Sequence, residues 1–215
     1  KMVLDKIKDD KRIDEYIRLY INGIVESDLY ATSSRNGMNN PEFQAKMLYH
    51  FKDGVEYLEK AYALHPEYPE APLEIMKLNR WRRDPQTIEK WFCRVLKAQV
   101  DYKQAYTDFA MCSAPIWGGD PERIAQISRE LSNSITRYDT DAPLYAASLM
   151  LNAYNYAVQA YSSYGCEYAR SKAYEMLSDP KSIEAFKYVF NNYEKYAPEK
   201  KKNLYRIYEA GFAAA

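Results

Sequence analysis

The sequence predicts an all-α protein, and three observations carry that expectation. Apolar residues recur at steps of three and four through most of the 215 residues, which places them on one face of successive helices. Proline punctuates those segments. Three Asp-Pro pairs (Asp84-Pro85, Asp120-Pro121 and Asp179-Pro180) offer an acceptor side chain at the cap and a ring with preset φ just inside the helix. Glycine is scarce at 7 copies, and no segment alternates apolar with polar long enough to make a strand. The scarcity also argues against sheet-rich folds and glycine-rich phosphate loops.

Residues 2 to about 30 predict a first helix, with Ile13, Tyr16, Ile17, Tyr20 and Ile24 on its apolar side and Lys and Asp on the other. The stretch ATSSRNGMNNP, residues 31–41, is polar and rich in turn formers, and predicts a loop. A second helix over 41–64 opens with Asn40 at the cap and Pro41 at the first helical position. Breaks near 66, 84, 100, 113–119 and 139–143 then separate amphipathic helices at 70–83, 86–98, 102–112 and 122–134. Residues 143–164 are apolar or aromatic on most faces, which predicts a central helix. Three more, at 166–177, 181–196 and 201–212, complete the chain.

Composition bounds the function. Hydrophobic residues at 47% suffice for a core, so one domain or one continuous helical array over 1–215 is expected. Tyrosine stands out with 22 copies; its ring packs while its hydroxyl stays wet or bonded, which suits helix seams beside a groove. Thirty Lys and Arg balance thirty Asp and Glu, whereas a whole-surface nucleic-acid binder is ordinarily basic. Cys93, Cys112 and Cys166 are too widely spaced for a zinc knuckle or a disulfide framework, and buried free thiols are expected. No apolar run reaches membrane-spanning length. The chain starts at Lys1 without a Met, so localisation stays open: cytoplasmic or, after removal of an upstream signal, periplasmic or secreted.

The clearest stretch is DGVEYLEKAYALHP, residues 53–66. Gly54, Leu58 and Ala61 share one helical face and Pro66 ends the segment. A loose recurrence follows about 34 residues on, a period typical of tetratricopeptide arrays: Ile88 answers Gly54, Phe92 answers Leu58, Val95 answers Ala61, and Ala105 answers Ala71. In these residues the chain resembles a tetratricopeptide repeat, with the family's small, aromatic or apolar, small and closing Pro positions filled by Gly54, Leu58, Ala61 and Pro66. The next unit departs from that pattern, with Pro72, Met76, Asn79 and Val100 at marked positions, and register is lost after APIWGGDP at 114–121. The WGGD turn following a degenerate repeat is also similar to a bacterial family of unknown function built on such helix pairs. The resemblance implies a right-handed superhelix of antiparallel helix pairs over 41–142. The helix and loop at 1–40 and the helices at 143–215 would flank it, and Leu58, Ala61, Ile75, Phe92, Val95 and Phe109 would be buried between helices.

In that register Leu73, Lys77, Arg80 and Trp81, with Gln104, Thr107 and Met111 one helix later, line a concave groove. Lys77, Arg80 and Trp81 would form a cation–aromatic surface for a carboxylate, a C-terminus or an acidic peptide. Trp81 as core, with its basic neighbours solvated, is the competing reading. Trp117-Gly118-Gly119-Asp120 reads either as a ligand-touching turn or as a structural turn. Asn152 and Asn155, with Tyr145, Tyr154 and Tyr156, put polar groups on an apolar helix. No HExxH, GxGxxG or GxxxxGK[ST] is present, and His50 and His65 are the only histidines. No catalytic residue, metal site or cofactor is therefore assigned. Three classes of function stay open. The first is a non-catalytic scaffold that binds a protein or peptide in its groove. The second is a small helical enzyme using a pocket of Tyr and carboxylates such as Asp101, Asp108, Asp120 and Glu122. The third is an RNA-binding helical repeat, which would need a basic inner face.

Overall fold

The computed structural model describes residues 10–36, 41–199 and 201–202. Every regular element among them is helical: nine α-helices and three short 3-10 turns, with no strand. The predicted helix start at 2–9, the loop positions 37–40 with the Asn40 cap, and the last helix beyond residue 202 lie outside the described residues. The chain divides into two compact units, Lys1–Gln99 and Val100–Ala215.

The first unit holds α1 (Glu15–Asn36), α2 (Pro41–Leu64), α3 (Glu70–Asn79) and α4 (Pro85–Ala98), each packed on the next. Its closest packing lies between α1 and α2. A Cβ on Gly23 would sit 2.4 Å from Leu58 Cγ, and one on Gly54 would sit 3.4 Å from Glu26 Cβ. Leu58, Ala61, Ile75, Phe92 and Val95 are buried here, as the sequence predicts, and Phe109 is buried in the second unit. The pair His50–Glu26 adds a polar tie between the two long helices, His50 Nδ1–H donating to Glu26 Oε2 at 2.6 Å.

Two boundaries differ from expectation. The predicted loop at 31–41 is helix through Asn36, because weak local propensity yields to packing of α1 along α2. The helix predicted to run to Arg83 stops at Asn79 and tightens into a 3-10 turn, Arg80–Arg82. Asn79 Nδ2 donates to the Ile75 carbonyl at 2.8 Å within that last turn. Arg83, at φ 54°, then swings the chain into the Asp84 cap. That cap forms as predicted: Asp84 Oδ1 accepts from Thr87 N and Oδ2 from Thr87 Oγ1, at 3.1 and 2.7 Å. The Thr87 side chain and backbone hold the Asp84 carboxyl below its ordinary range.

The second unit holds α5 (Lys103–Cys112), α6 (Pro121–Ser134), α7 (Ala142–Tyr161), α8 (Cys166–Leu177) and α9 (Pro180–Tyr196). Its helix α7 packs against the other four and carries the buried Leu144, Ala146, Leu149, Met150, Ala153 and Ala157, the central role its sequence predicts. Helix α9 returns to α6, three helices back. Arg129 marks that contact, donating to Ser182 Oγ at 3.1 Å and pairing with Asp179 at 3.3 Å. Asp120 and Asp179 both cap as expected, accepting from Glu122 N and Lys181 N. The WGGD turn folds on its own backbone: Gly118 has φ 83°, and a Cβ on Gly119 would strike the Ser113 carbonyl. Around Tyr138, Leu144, Val189, Phe190 and Tyr193 a small core forms, with the Tyr193 hydroxyl donating to the Thr140 carbonyl.

Two outcomes test this packing. Gly23→Val places branched carbon on the fully buried Leu58 side chain, so overpacking costs about 1–3 kcal/mol and lowers the urea midpoint read by circular dichroism. Burial also pushes the Tyr106 and Tyr193 phenols well above their ordinary range, with Asp101 and Asp141 adding to the shift. Unfolded tyrosines ionise near about pH 10. The folded state therefore binds more protons above that pH, and the stability these phenols contribute is complete below it and lost as pH rises through it. The urea midpoint should fall above about pH 10, and the fall should be shallower in Tyr193→Phe.

Candidate functional site

The residues that the sequence assigns to a groove divide between the two units. In the first, Leu73 is buried in α3 and Lys77 Nζ pairs with Glu74 Oε1 at 2.7 Å on the same helix. The Arg80 guanidinium lies 5.1 Å from the centre of the half-buried Trp81 ring. Trp81 meets Tyr30 edge-on at 6.2 Å, Tyr30 packs on Phe51 at 5.5 Å, and Arg82 covers Phe51 at 5.1 Å. Cation and ring thus meet as the spacing suggests, but within a cluster that ties α1, α2 and the end of α3. In the second unit Gln104 and Thr107 are exposed on α5 and Met111 is half-buried. Gln104 Nε2 donates to Asp108 Oδ1 at 2.9 Å.

The carboxylates weighed for catalysis have structural roles in part. Asp108 is buried, and its Oδ2 has no hydrogen-bond partner among the described residues. Asp120 caps α6, and Glu122 borders a cleft of about 300 Å³ with Arg129, Lys172, Glu175 and Asp179. Both cations of that cleft are already engaged, Arg129 by Asp179 and Lys172 by Glu175. Asn152 Nδ2 donates to the Ser148 carbonyl at 3.2 Å within α7, while Asn155 is exposed. Cys112 is buried, but Cys93 and Cys166 are exposed, contrary to the expectation of three buried thiols. Among the described residues no three His, Cys, Asp or Glu side chains gather as a metal site, and no helix is long and apolar enough to cross a membrane.

A different feature stands out in the first unit. The start of α1 and the α2–α3 connection enclose an open cleft of about 640 Å³ walled by aromatic rings. Tyr16 and Tyr20, one helical turn apart, hold their rings parallel with centres 6.0 Å apart. The segment HPEYPE, residues 65–70, supplies the facing wall. His65 stacks on Tyr68 at 4.7 Å, and Tyr16 meets both edge-on, at 5.4 and 5.1 Å. Tyr16 is 8% exposed and forms the floor, whereas Tyr68, at 42%, forms an accessible wall.

Carboxylates rim these rings. Asp14, Glu67 and Glu70 line the cleft, and among the described residues lining it there is no Lys or Arg. His65 Nδ1–H donates to Glu67 Oε1 at 2.8 Å, which holds the Glu67 carboxyl below its ordinary range, with help from the Glu67 backbone. Asp14 Oδ1 accepts from Ile17 N at 3.3 Å in the first turn of α1. Among the described residues lining the cleft, three carboxylates stand with one imidazole, which favours negative potential there, and the ring faces add their own negative quadrupole. Its parts were visible in sequence as Tyr16 and Tyr20 on one helical face and as the aromatic and acidic residues around Pro66 and Pro69. Their meeting was not.

No protein-family model matches the chain, and comparisons with curated proteins and with solved structures returned no match.

Proposed function

We propose that the protein is a non-catalytic binding scaffold that takes a cationic group of a peptide or protein partner into the Tyr16–Tyr20–His65–Tyr68 cleft. The observation that carries this reading is the coincidence of an aromatic floor and wall with the acidic rim of Asp14, Glu67 and Glu70. Such a site attracts a cation twice, through ring quadrupoles worth about 0.5–2 kcal/mol each and through carboxylate charge. The first unit already places cations this way elsewhere: Arg94 lies 4.0 Å from the centre of the Trp91 ring. Packing of each helix on the next in that unit supports a tetratricopeptide-like arrangement of helix pairs, and the right-handed superhelix that the resemblance implies belongs to the same proposal.

The acidic or C-terminal partner expected for Lys77, Arg80 and Trp81 is the competing occupant. Engagement of Lys77 by Glu74 and of Arg80 by Trp81 favours the cation instead. The two partners separate by titration. A Lys- and Arg-rich peptide should bind the full chain, weaken as salt rises through the physiological range, and lose about two- to tenfold in affinity with Tyr68→Ala. An acidic peptide that binds instead, and is lost with Arg80→Ala, would overturn the proposal.

A further inference from the structure

The same cleft has a chemistry that distinguishes among cations, and this inference rests on the cation-binding reading above. A primary ammonium or a guanidinium carries several N–H donors and a firm hydration shell. Moving it against ring faces is favourable only if placed acceptors replace its lost water. The carboxylates here stand at the rim, and two of them already accept a bond on one oxygen: Glu67 Oε1 from His65, and Asp14 Oδ1 from the Ile17 amide. The floor and near wall are Tyr16, Pro69 and the stacked His65–Tyr68 pair, with Tyr16 and Pro69 both buried. Those surfaces offer π-faces and apolar edges to an incoming group. The rim supplies charge, the inner surface is mostly ring and proline carbon, and Gln99 and the tyrosine hydroxyls add polar groups to the lining.

We propose that the cleft recognises a quaternary ammonium group, one with no N–H to satisfy. Such a cation spreads its charge over methyl groups, sheds water easily and packs against rings, which is how aromatic sites take choline and methylated lysine. The volume of about 640 Å³ admits the trimethylated head with part of whatever bears it. A trimethyllysine side chain and a free trimethylammonium metabolite present the same head group, and the two sources differ only in what enters behind it.

The test uses the full chain and five probes: tetramethylammonium, choline, a short peptide with one trimethyllysine, the same peptide with unmodified lysine, and 3,3-dimethylbutan-1-ol. The last is the uncharged carbon analogue of choline. Binding is read by calorimetry and by the ring-proton shifts of His65. The trimethylated peptide or choline should bind about fivefold or more tightly than the lysine peptide. The neutral alcohol should bind at least tenfold more weakly than choline, because the rim charge then has nothing to act on. Tighter binding of the peptide than of choline assigns the head group to a protein partner, and the reverse assigns it to a free small molecule; either result supports the quaternary assignment, and the reverse overturns the peptide partner of the proposed function. Tyr68→Ala should lose most of the affinity and Tyr68→Phe should keep it, with the helical circular dichroism unchanged in both. Glu70→Gln removes rim charge without touching a ring, and should weaken choline while leaving the neutral alcohol unaffected. Equal or tighter binding of the unmodified lysine peptide would overturn the quaternary assignment and leave the cation-binding function standing. Binding of none of the cations would overturn both.

Discussion

The structure of the first unit depends on how closely α1 lies on α2. Leu58 fills the space that a Cβ on Gly23 would need, whereas a Cβ on Gly54 would meet Glu26 and Leu78 at ordinary contact distance. Helix–helix distance follows the side chains at the contact, so the missing side chain at Gly23, opposite Leu58, sets how near the two helices come there. A turn or two further along, Glu26 reaches His50, and Tyr30 reaches Phe51 and Trp81. At the other end of the same pair, Tyr16 and Tyr20 come alongside the segment that leaves α2 at His65. The tight Gly23–Leu58 contact and the aromatic rings lie on the same helix, with Tyr20 and Tyr16 about one and two turns before Gly23.

Aromatic residues serve two distinct purposes in this chain. Trp81, Phe51 and Trp91 receive arginines from their own unit, Arg80, Arg82 and Arg94, each at cation–π distance. Those arginines keep their charge at the edge of water while their planar heads seal the rings. In the second unit Tyr106 and Tyr193 use their hydroxyls inward, toward the carbonyls of Val100 and Thr140. The cleft at the start of α1 and around Pro66 is instead lined by Asp14, Glu67 and Glu70 beside its rings, and the proposed function rests on that pairing of ring and carboxylate.

Helices and breaks were legible in the sequence because they rest on local chemistry. Asp-Pro pairs cap where they stand, and the face carrying Gly54, Leu58 and Ala61 is buried as its spacing requires. Legibility failed where tertiary contacts overrule local preference. The polar run after Ala31 stays helical through Asn36 against α2. Residues 80–82 tighten because Arg83 must turn the chain toward Asp84. The site was less legible still. Lys77, Arg80 and Trp81 draw attention through charge and ring at helical spacing, yet their charges find partners within the unit. The cleft joins residues some fifty positions apart, Tyr16 with His65 and Tyr68, and no local period reports such a meeting. The lone histidine of HPEYPE, set among acidic and aromatic residues, was the nearest thing to a signal.

The division of labour inside the cleft follows from burial. Tyr16 is buried beneath His65 and Tyr68, packed edge-on against both rings, so the floor is part of the packed unit. A site organised in advance loses little entropy on binding, which is the cost that most weakens recognition by mobile side chains. Tyr68 is more exposed, but His65 stacks on it and the Glu67 carboxylate holds His65 in turn. Each layer therefore fixes the next, from the buried ring to the exposed one to the rim. Charge enters this scheme last and furthest out, where water still screens it. In the proposed function, Asp14, Glu67 and Glu70 would draw a cation in through their charge. It would then meet a surface built mostly of rings, and selectivity would follow from how readily the incoming group gives up its water.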